Sequence, residues 1–162
     1  MSISYCEEYV SFKGELSDND IKELVRAGKF KRIQTDSAAL DKATLKKLND
    51  KYFVSFPEVE LRIYTSGDCD IDGISLMDKL RKLSVESSAS IVNIEEIYSL
   101  ENLKSINLEA KSIADKDFLD KLPRGIESLG LKLASKSFDL KGITRFSELK
   151  ILSLHNCSKN IE

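Results

Sequence analysis

The sequence predicts an α/β solenoid of about seven parallel strands, one per repeat, joined by helices or turns. Three observations predict it. First, four segments carry one apolar signature at a constant spacing of 23 residues: Leu80-x-x-Leu83-x-Val85, Leu103-x-x-Ile106-x-Leu108, Ile126-x-x-Leu129-x-Leu131 and Leu149-x-x-Leu152-x-Leu154. A fixed period of this length marks a repeat array whose units bury their faces only against one another. Second, apolar residues alternate with small or polar ones inside each segment, the period of a half-buried strand. Third, the intervening stretches carry helix start and stop signals.

The frame extends backwards with less regular spacing. Phe56, Val59 and Leu61 fit it ahead of Leu80, and Phe30, Ile33 and Thr35 fit it before them. Val10 and Phe12 precede Ile33 and Thr35 by 23 residues. Thr35 is the one polar residue at the second or third frame position.

The returns between strands come in order. Ser17-Asp-Asn-Asp20 reads as a capping box before Ile21, Leu24 and Val25, with Gly28 as the stop. Leu40, Leu45 and Leu48 share one face of a second helix, roughly 38–49. Ile74, Leu76, Met77 and Leu80 mark a third. Phe118, Leu119 and Leu122 mark a fourth, ended by Pro123. Short turns or a single helical turn are expected after Val85 and Leu131. The domain map is therefore a single unit over 1–162: a capping unit at 1–29, irregular repeats at 30–79, regular 23-residue repeats at 80–157 and a short tail at 158–162.

Composition narrows the function classes. The chain is 41% hydrophobic and 32% charged with a net charge of −2, which is ordinary for a globular protein and excludes a strongly basic nucleic-acid binder. No apolar run reaches the roughly 18–20 residues that span a bilayer. The N-terminus lacks the basic start and apolar stretch of a secretory signal. Cysteines at 6, 69 and 157 suit reduced thiols, so a cytoplasmic location is expected.

Leu149-Lys-Ile-Leu152-Ser-Leu154-His-Asn-Cys157 carries the full pattern Leu-x-x-Leu-x-Leu-x-x-Asn/Cys, and here the chain resembles the leucine-rich repeat family. The resemblance is regular from 80 to 157 and looser before. It implies a concave face built of strands, with helices or turns on the convex side. The chain departs from the pattern at the Asn/Cys position, which is Glu15, Ala38, Tyr64, Ser88, Lys111, Ala134 and Cys157 in turn. Its turns must satisfy their backbone in another way.

Chemical motifs are sparse. Asp68-Cys-Asp70-Ile-Asp72-Gly73 matches the first half of a calcium loop, but Lys79 stands where the bidentate Glu belongs. The plain reading is an acidic turn, with Asp72 or Ser75 capping the helix after it. His155 is the only histidine; the leucine-rich repeat resemblance implies an inward position for Cys157 and an outward one for His155, so no nucleophile-base pair is expected. Gly125 and Gly130 form no phosphate cradle. No catalytic residue, metal or cofactor is expected.

The exposed strand positions are the expected binding face. Between the second and third frame positions they read Gln34, Glu60, Ser84, Asn107, Gly130 and Ser153. One place later they read Asp36, Arg62, Glu86, Glu109, Lys132 and His155, and one place earlier Arg32, Glu58, Lys82, Ser105, Ser128 and Ile151. Glu58, Glu60, Arg62, Lys82, Glu86, Asn107, Glu109 and Lys132 are the expected contact residues. The four glutamates suit a basic protein partner.

The expected function is non-enzymatic protein binding. Its most specific form is a bacterial immunity protein that neutralises a cognate toxin, without nucleic acid or membrane. Three alternatives stand beside it. One is a recognition fragment of a larger signalling or adhesion protein, and another a metal-dependent enzyme using Asp68–Asp72. The third is a homodimer through the edge strand Leu149–Leu154, which Ser158 to Glu162 would otherwise cover.

Overall fold

Alternation of buried and half-exposed residues along each strand sets the architecture. The computed structural model describes residues 2–134 and 140–155. Its strands and helices, in chain order, are β1 (Ser2–Tyr5), β2 (Tyr9–Lys13), α1 (Asp18–Ala27), β3 (Arg32–Asp36), α2 (Lys42–Lys47), β4 (Glu60–Thr65), β5 (Cys69–Asp70), β6 (Lys82–Ser87), β7 (Ser90–Val92), β8 (Ser105–Ala110), β9 (Ser112–Ile113), α3 (Phe118–Lys121), β10 (Ser128–Leu133) and β11 (Ile151–His155). The result is an α/β fold with a mostly parallel eight-stranded sheet and few helices. Sheet order is β1-β2-β3-β4-β6-β8-β10-β11, and only β1 runs antiparallel to its neighbour.

Register is constant across the regular units. Leu83 stands opposite Ile106, Ile106 opposite Leu129 and Leu129 opposite Leu152. The expected pairing of Val10 with Ile33 and Phe12 with Thr35 holds. Thr35 fits an apolar column because its hydroxyl donates to Phe12 O at 3.0 Å.

The third unit corrects the sequence frame. Leu61 and Ile63, not Val59 and Leu61, pair with Leu83 and Val85. Val59 is the leading apolar residue, its N–H bonded to Phe56 O as Leu80 N–H is to Met77 O. It leads the strand by two residues, whereas Leu80 leads by three, so this unit enters one residue short. A slide of two preserves which face each side chain takes, so the sequence frame assigns the core correctly and displaces only the rungs.

The returns agree with the sequence in part. The α1 capping box forms as read: Asp20 N–H donates to the Ser17 hydroxyl oxygen at 3.2 Å, and Ser17 N–H to the Asp20 carboxylate at 2.7 Å. Gly28 stops the helix at φ 91°, a region that a side chain would strain. The second helix starts later than expected, behind Asp41, whose carboxylate accepts from Ala43 N and Thr44 N at 2.9 and 3.0 Å. It then continues as a wider π turn over Leu48–Phe53. There Tyr52 is fully buried and donates to Gly28 O at 3.0 Å, locking the first two returns together. The third helix does not form. Ile74–Leu76 is a single 3₁₀ turn, because the unit is too short to hold more once β5 is extended. The returns after β7 and before β11 are also 3₁₀, over Ile94–Ser99 and Leu140–Arg145.

Two features carried no sequence expectation. One is β1, which hairpins onto β2. The other is a second, three-stranded parallel sheet, β5-β7-β9, where the chain leaves the main strands. One apolar core fills the space between, from Val10 and Ile21 to Leu131 and Phe146.

The turns are capped from unusual places. Asn49, only 3% exposed, accepts from Lys79 N at 2.9 Å and donates to Asp78 Oδ1 at 2.7 Å. Asn102 donates to Asp78 O at 2.8 Å, and the Ser87 hydroxyl to Gly67 O at 2.7 Å. The Asn49 and Asn102 bonds satisfy the approach to β6, while at the strand exits Ser87 is joined by Ser88, which bonds Ser66 O. Replacing Asn49 with Ala strands the Lys79 N–H. It should destabilise the fold by about 1–3 kcal/mol, read from urea unfolding midpoints at an unchanged slope.

Candidate functional site

Residues that alternate with the core columns share the opposite face of the large sheet. Parallel register turns them into rows that run across the strands. The middle row is Ser11, Gln34, Arg62, Ser84, Asn107, Gly130 and Ser153. Toward the strand starts lie Arg32, Glu60, Lys82, Ser105, Ser128 and Ile151, and toward the exits Asp36, Tyr64, Glu86, Glu109, Lys132 and His155.

The frame correction moves three expected residues. Glu60 belongs to the start row and Arg62 to the middle row, while Glu58 precedes β4 and lies outside the rows. Tyr64 takes the exit-row position assigned to Arg62, and sequence reasoning missed it. The alternation Leu61-Arg-Ile63-Tyr-Thr65 was the signal, since it carries the strand two residues beyond the chosen frame. Lys82, Glu86, Asn107, Glu109 and Lys132 stand where the sequence placed them.

A polar chain crosses four strands at the centre. Arg62 donates through Nη1 to Gln34 Oε1 at 3.1 Å and through Nε to Glu86 Oε1 at 2.7 Å. The Ser84 hydroxyl donates to Glu86 Oε1 at 3.3 Å and accepts from Asn107 Nδ2 at 3.2 Å. The Arg62 guanidinium also lies 4.9 Å from the centre of the Tyr64 ring. The Asn107 amide folds over Gly130, where any Cβ would collide with its oxygen. Each side chain is held by the next, so the face is preorganised.

The four expected glutamates are not bare negative charges. Glu58 meets Arg81 at 2.8 Å and Lys82 at 3.4 Å, Glu60 meets Arg32 at 3.0 Å, Glu86 meets Arg62, and Glu109 meets Lys132 at 2.6 Å. The Arg62 hydrogen bonds hold the Glu86 carboxyl below its usual range against the opposing effect of burial, and Glu58 is held low mainly by Arg81. Among the clefts that flank the middle row, two lie at its opposite ends. One, of about 420 Å³, opens at the exits between Asp36, Arg62, Tyr64, Glu86 and Glu109. The other, of about 480 Å³, opens at the strand starts and includes Arg81, Lys82, Lys104 and Lys150.

The acidic motif at Asp68–Asp72 is engaged in structural contacts. Asp68 accepts from Ser90 N, Asp70 from Asp72 N and the Asn93 amide, and Asp72 pairs with Lys42 at 2.9 Å. The acidic turn therefore braces β5 against β7, and neither Asp72 nor Ser75 caps the turn after it. Among the described residues no three His, Cys, Asp or Glu side chains are grouped to hold a metal. Cys69 is fully buried, which pushes its thiol up to about 12 and keeps it protonated. His155 is exposed, with Ser153 Oγ at 3.0 Å from its Nε2. Asn156, Cys157 and the tail at 158–162 lie outside the described residues. β11 is the sheet's last strand, and Leu152 on it is 45% exposed. No helix among the described residues is long and apolar enough to cross a membrane.

The Arg62–Glu86 pair sets a pH dependence. The Glu86 carboxyl sits below its ordinary value of 4.5 in the folded state. The stability it contributes is full above that value and is lost as pH falls through the folded one. Wild type should exceed Glu86→Gln by about 1 kcal/mol at neutral pH, and urea melts should show the gap closing only on acidification below 4.5. No family model matches the chain, and no curated protein matches it.

Proposed function

We propose that this chain is a leucine-rich-repeat-like solenoid that binds another protein through the strand face centred on Arg62, Glu86 and Asn107. One observation carries the reading: a bonded polar chain spans β3, β4, β6 and β8 on a half-exposed face. Such a lattice fixes side chains before a partner arrives, so little ordering entropy remains to be lost on binding. The sequence periodicity and the constant parallel register support the repeat-type architecture. Grouped metal ligands are absent among the described residues, and the Cys69 thiol is buried and protonated, which favours a binding role over catalysis.

Within protein binding, the most specific reading is an immunity protein that holds a toxin inactive in the cytoplasm. It rests on analogy of size, charge and architecture. The exit cleft offers Asp36, Glu86 and Glu109 against Arg62, suited to basic side chains of the bound protein.

Co-expression tests this reading. Together with the product of the neighbouring toxin gene, the chain should restore host growth. The double reversal Glu86→Lys/Glu109→Lys should weaken binding by more than about tenfold in calorimetry and abolish rescue. Unchanged affinity for the reversed protein would remove this face as the site.

A further inference from the structure

The strand face is electrically polarised along the strand direction. The exit cleft sets three carboxylates, Asp36, Glu86 and Glu109, against Arg62, and Lys132 beside it pairs with Glu109, so one negative charge is left over. The cleft at the strand starts sets four cations, Arg81, Lys82, Lys104 and Lys150, against Glu58 and Glu127. Each of those two carboxylates serves a pair of cations. Glu58 lies 2.8 Å from Arg81 and 3.4 Å from Lys82, and Glu127 lies 3.7 Å from Lys104 and 2.7 Å from Lys150. Two positive charges are therefore left over. The four cationic side chains are 41–69% exposed, so their heads retain donor positions that face water.

The floor of this cleft adds neutral donors. Ser105 and Ser128 line it, and among the described residues neither hydroxyl has a partner. Ile151 closes one end and is 61% exposed. Surplus positive charge, two free hydroxyl donors and one apolar contact make a receptor for carboxylates carried on a chain with apolar residues between them.

We infer that the cleft of Arg81, Lys82, Lys104 and Lys150 receives an acidic stretch of a partner protein, while the exit cleft takes that partner's basic groups. The inference rests on the protein-binding reading above and fixes the direction in which the partner lies. Electrostatic complementarity of this kind sets orientation and association rate more than affinity. A nucleic-acid backbone fits less well. Glu58 and Glu127 sit among the cations and would face phosphates, the cleft has no aromatic side chain for bases to stack on, and the whole chain carries a net charge of −2.

The test uses an oligoglutamate peptide, an oligolysine peptide and a single-stranded oligonucleotide as fluorescent probes at low salt. Wild-type protein should bind oligoglutamate, more weakly as salt is added. Lys104→Gln/Lys150→Gln should lower that affinity by about tenfold and Lys104→Glu/Lys150→Glu by more, while Lys22→Gln on the exposed side of α1 leaves it unchanged. Thermal melting checks that each variant is folded, and the Gln pair, which adds no repulsion to Glu127, serves if the Glu pair is not. Oligoglutamate affinity that ignores both lysine variants overturns the inference, as does tighter binding of the oligonucleotide than of the peptide. With the true partner in hand, the two readings separate. If only the exit-end reversal weakens the complex, the acidic-stretch inference fails alone; if neither end matters, the binding face itself fails.

Discussion

Everything else in this protein depends on the in-register stacking of two apolar columns. One runs Val10, Ile33, Leu61, Leu83, Ile106, Leu129 and Leu152, and the other Phe12, Thr35, Ile63, Val85, Leu108, Leu131 and Leu154. Neighbouring strands lie about 4.8 Å apart, so each column is continuous van der Waals contact across the sheet. A slip of one residue would turn a whole column to water, which is why the register is strongly specified. Once the columns are fixed, every residue on the opposite face has fixed neighbours.

That constraint also arranges the charges. Residues one repeat apart become adjacent, and several such pairs are opposite in sign. Glu8 and Lys31, Glu58 and Arg81, Glu109 and Lys132, and Glu127 and Lys150 are each 23 residues apart and each joined. Exposed pairs like these add little stability one by one. Their larger effect is to cancel most of the charge and leave a residue of one sign at each end of the face. A sequence reading that counts glutamates sees an acidic patch. The folded pairing sees a face divided into a positive half and a negative half.

The turns obey a different constraint. Where the chain leaves β4 and β6, β5-β7 pairing and the Ser87 and Ser88 hydroxyls satisfy the backbone, and where it approaches β6, Asn49 does so. Asn49 lies 30 residues from the N–H it caps, so no local motif announces it. The β1 hairpin is similar: Ser2–Tyr5 is too short and too polar to read as a strand, and only pairing with β2 makes it one.

The sequence by itself determined the α/β class, the mostly parallel order of the large sheet and nearly all of the core. These come from periodicity, and periodicity is written in the chain. It also determined α1, because the Ser17–Asp20 box and Gly28 are local signals. Tertiary structure decided the rest. It set the rung of the third strand, since the frames beginning at Val59 and at Leu61 bury the same face and only pairing with Leu83 selects between them. It left Ile74–Leu76 as one 3₁₀ turn by drawing the residues before it into β5. And it decided which charges on the face are neutralised, because a side chain's partner is set by the register of the neighbouring strand and not by its own.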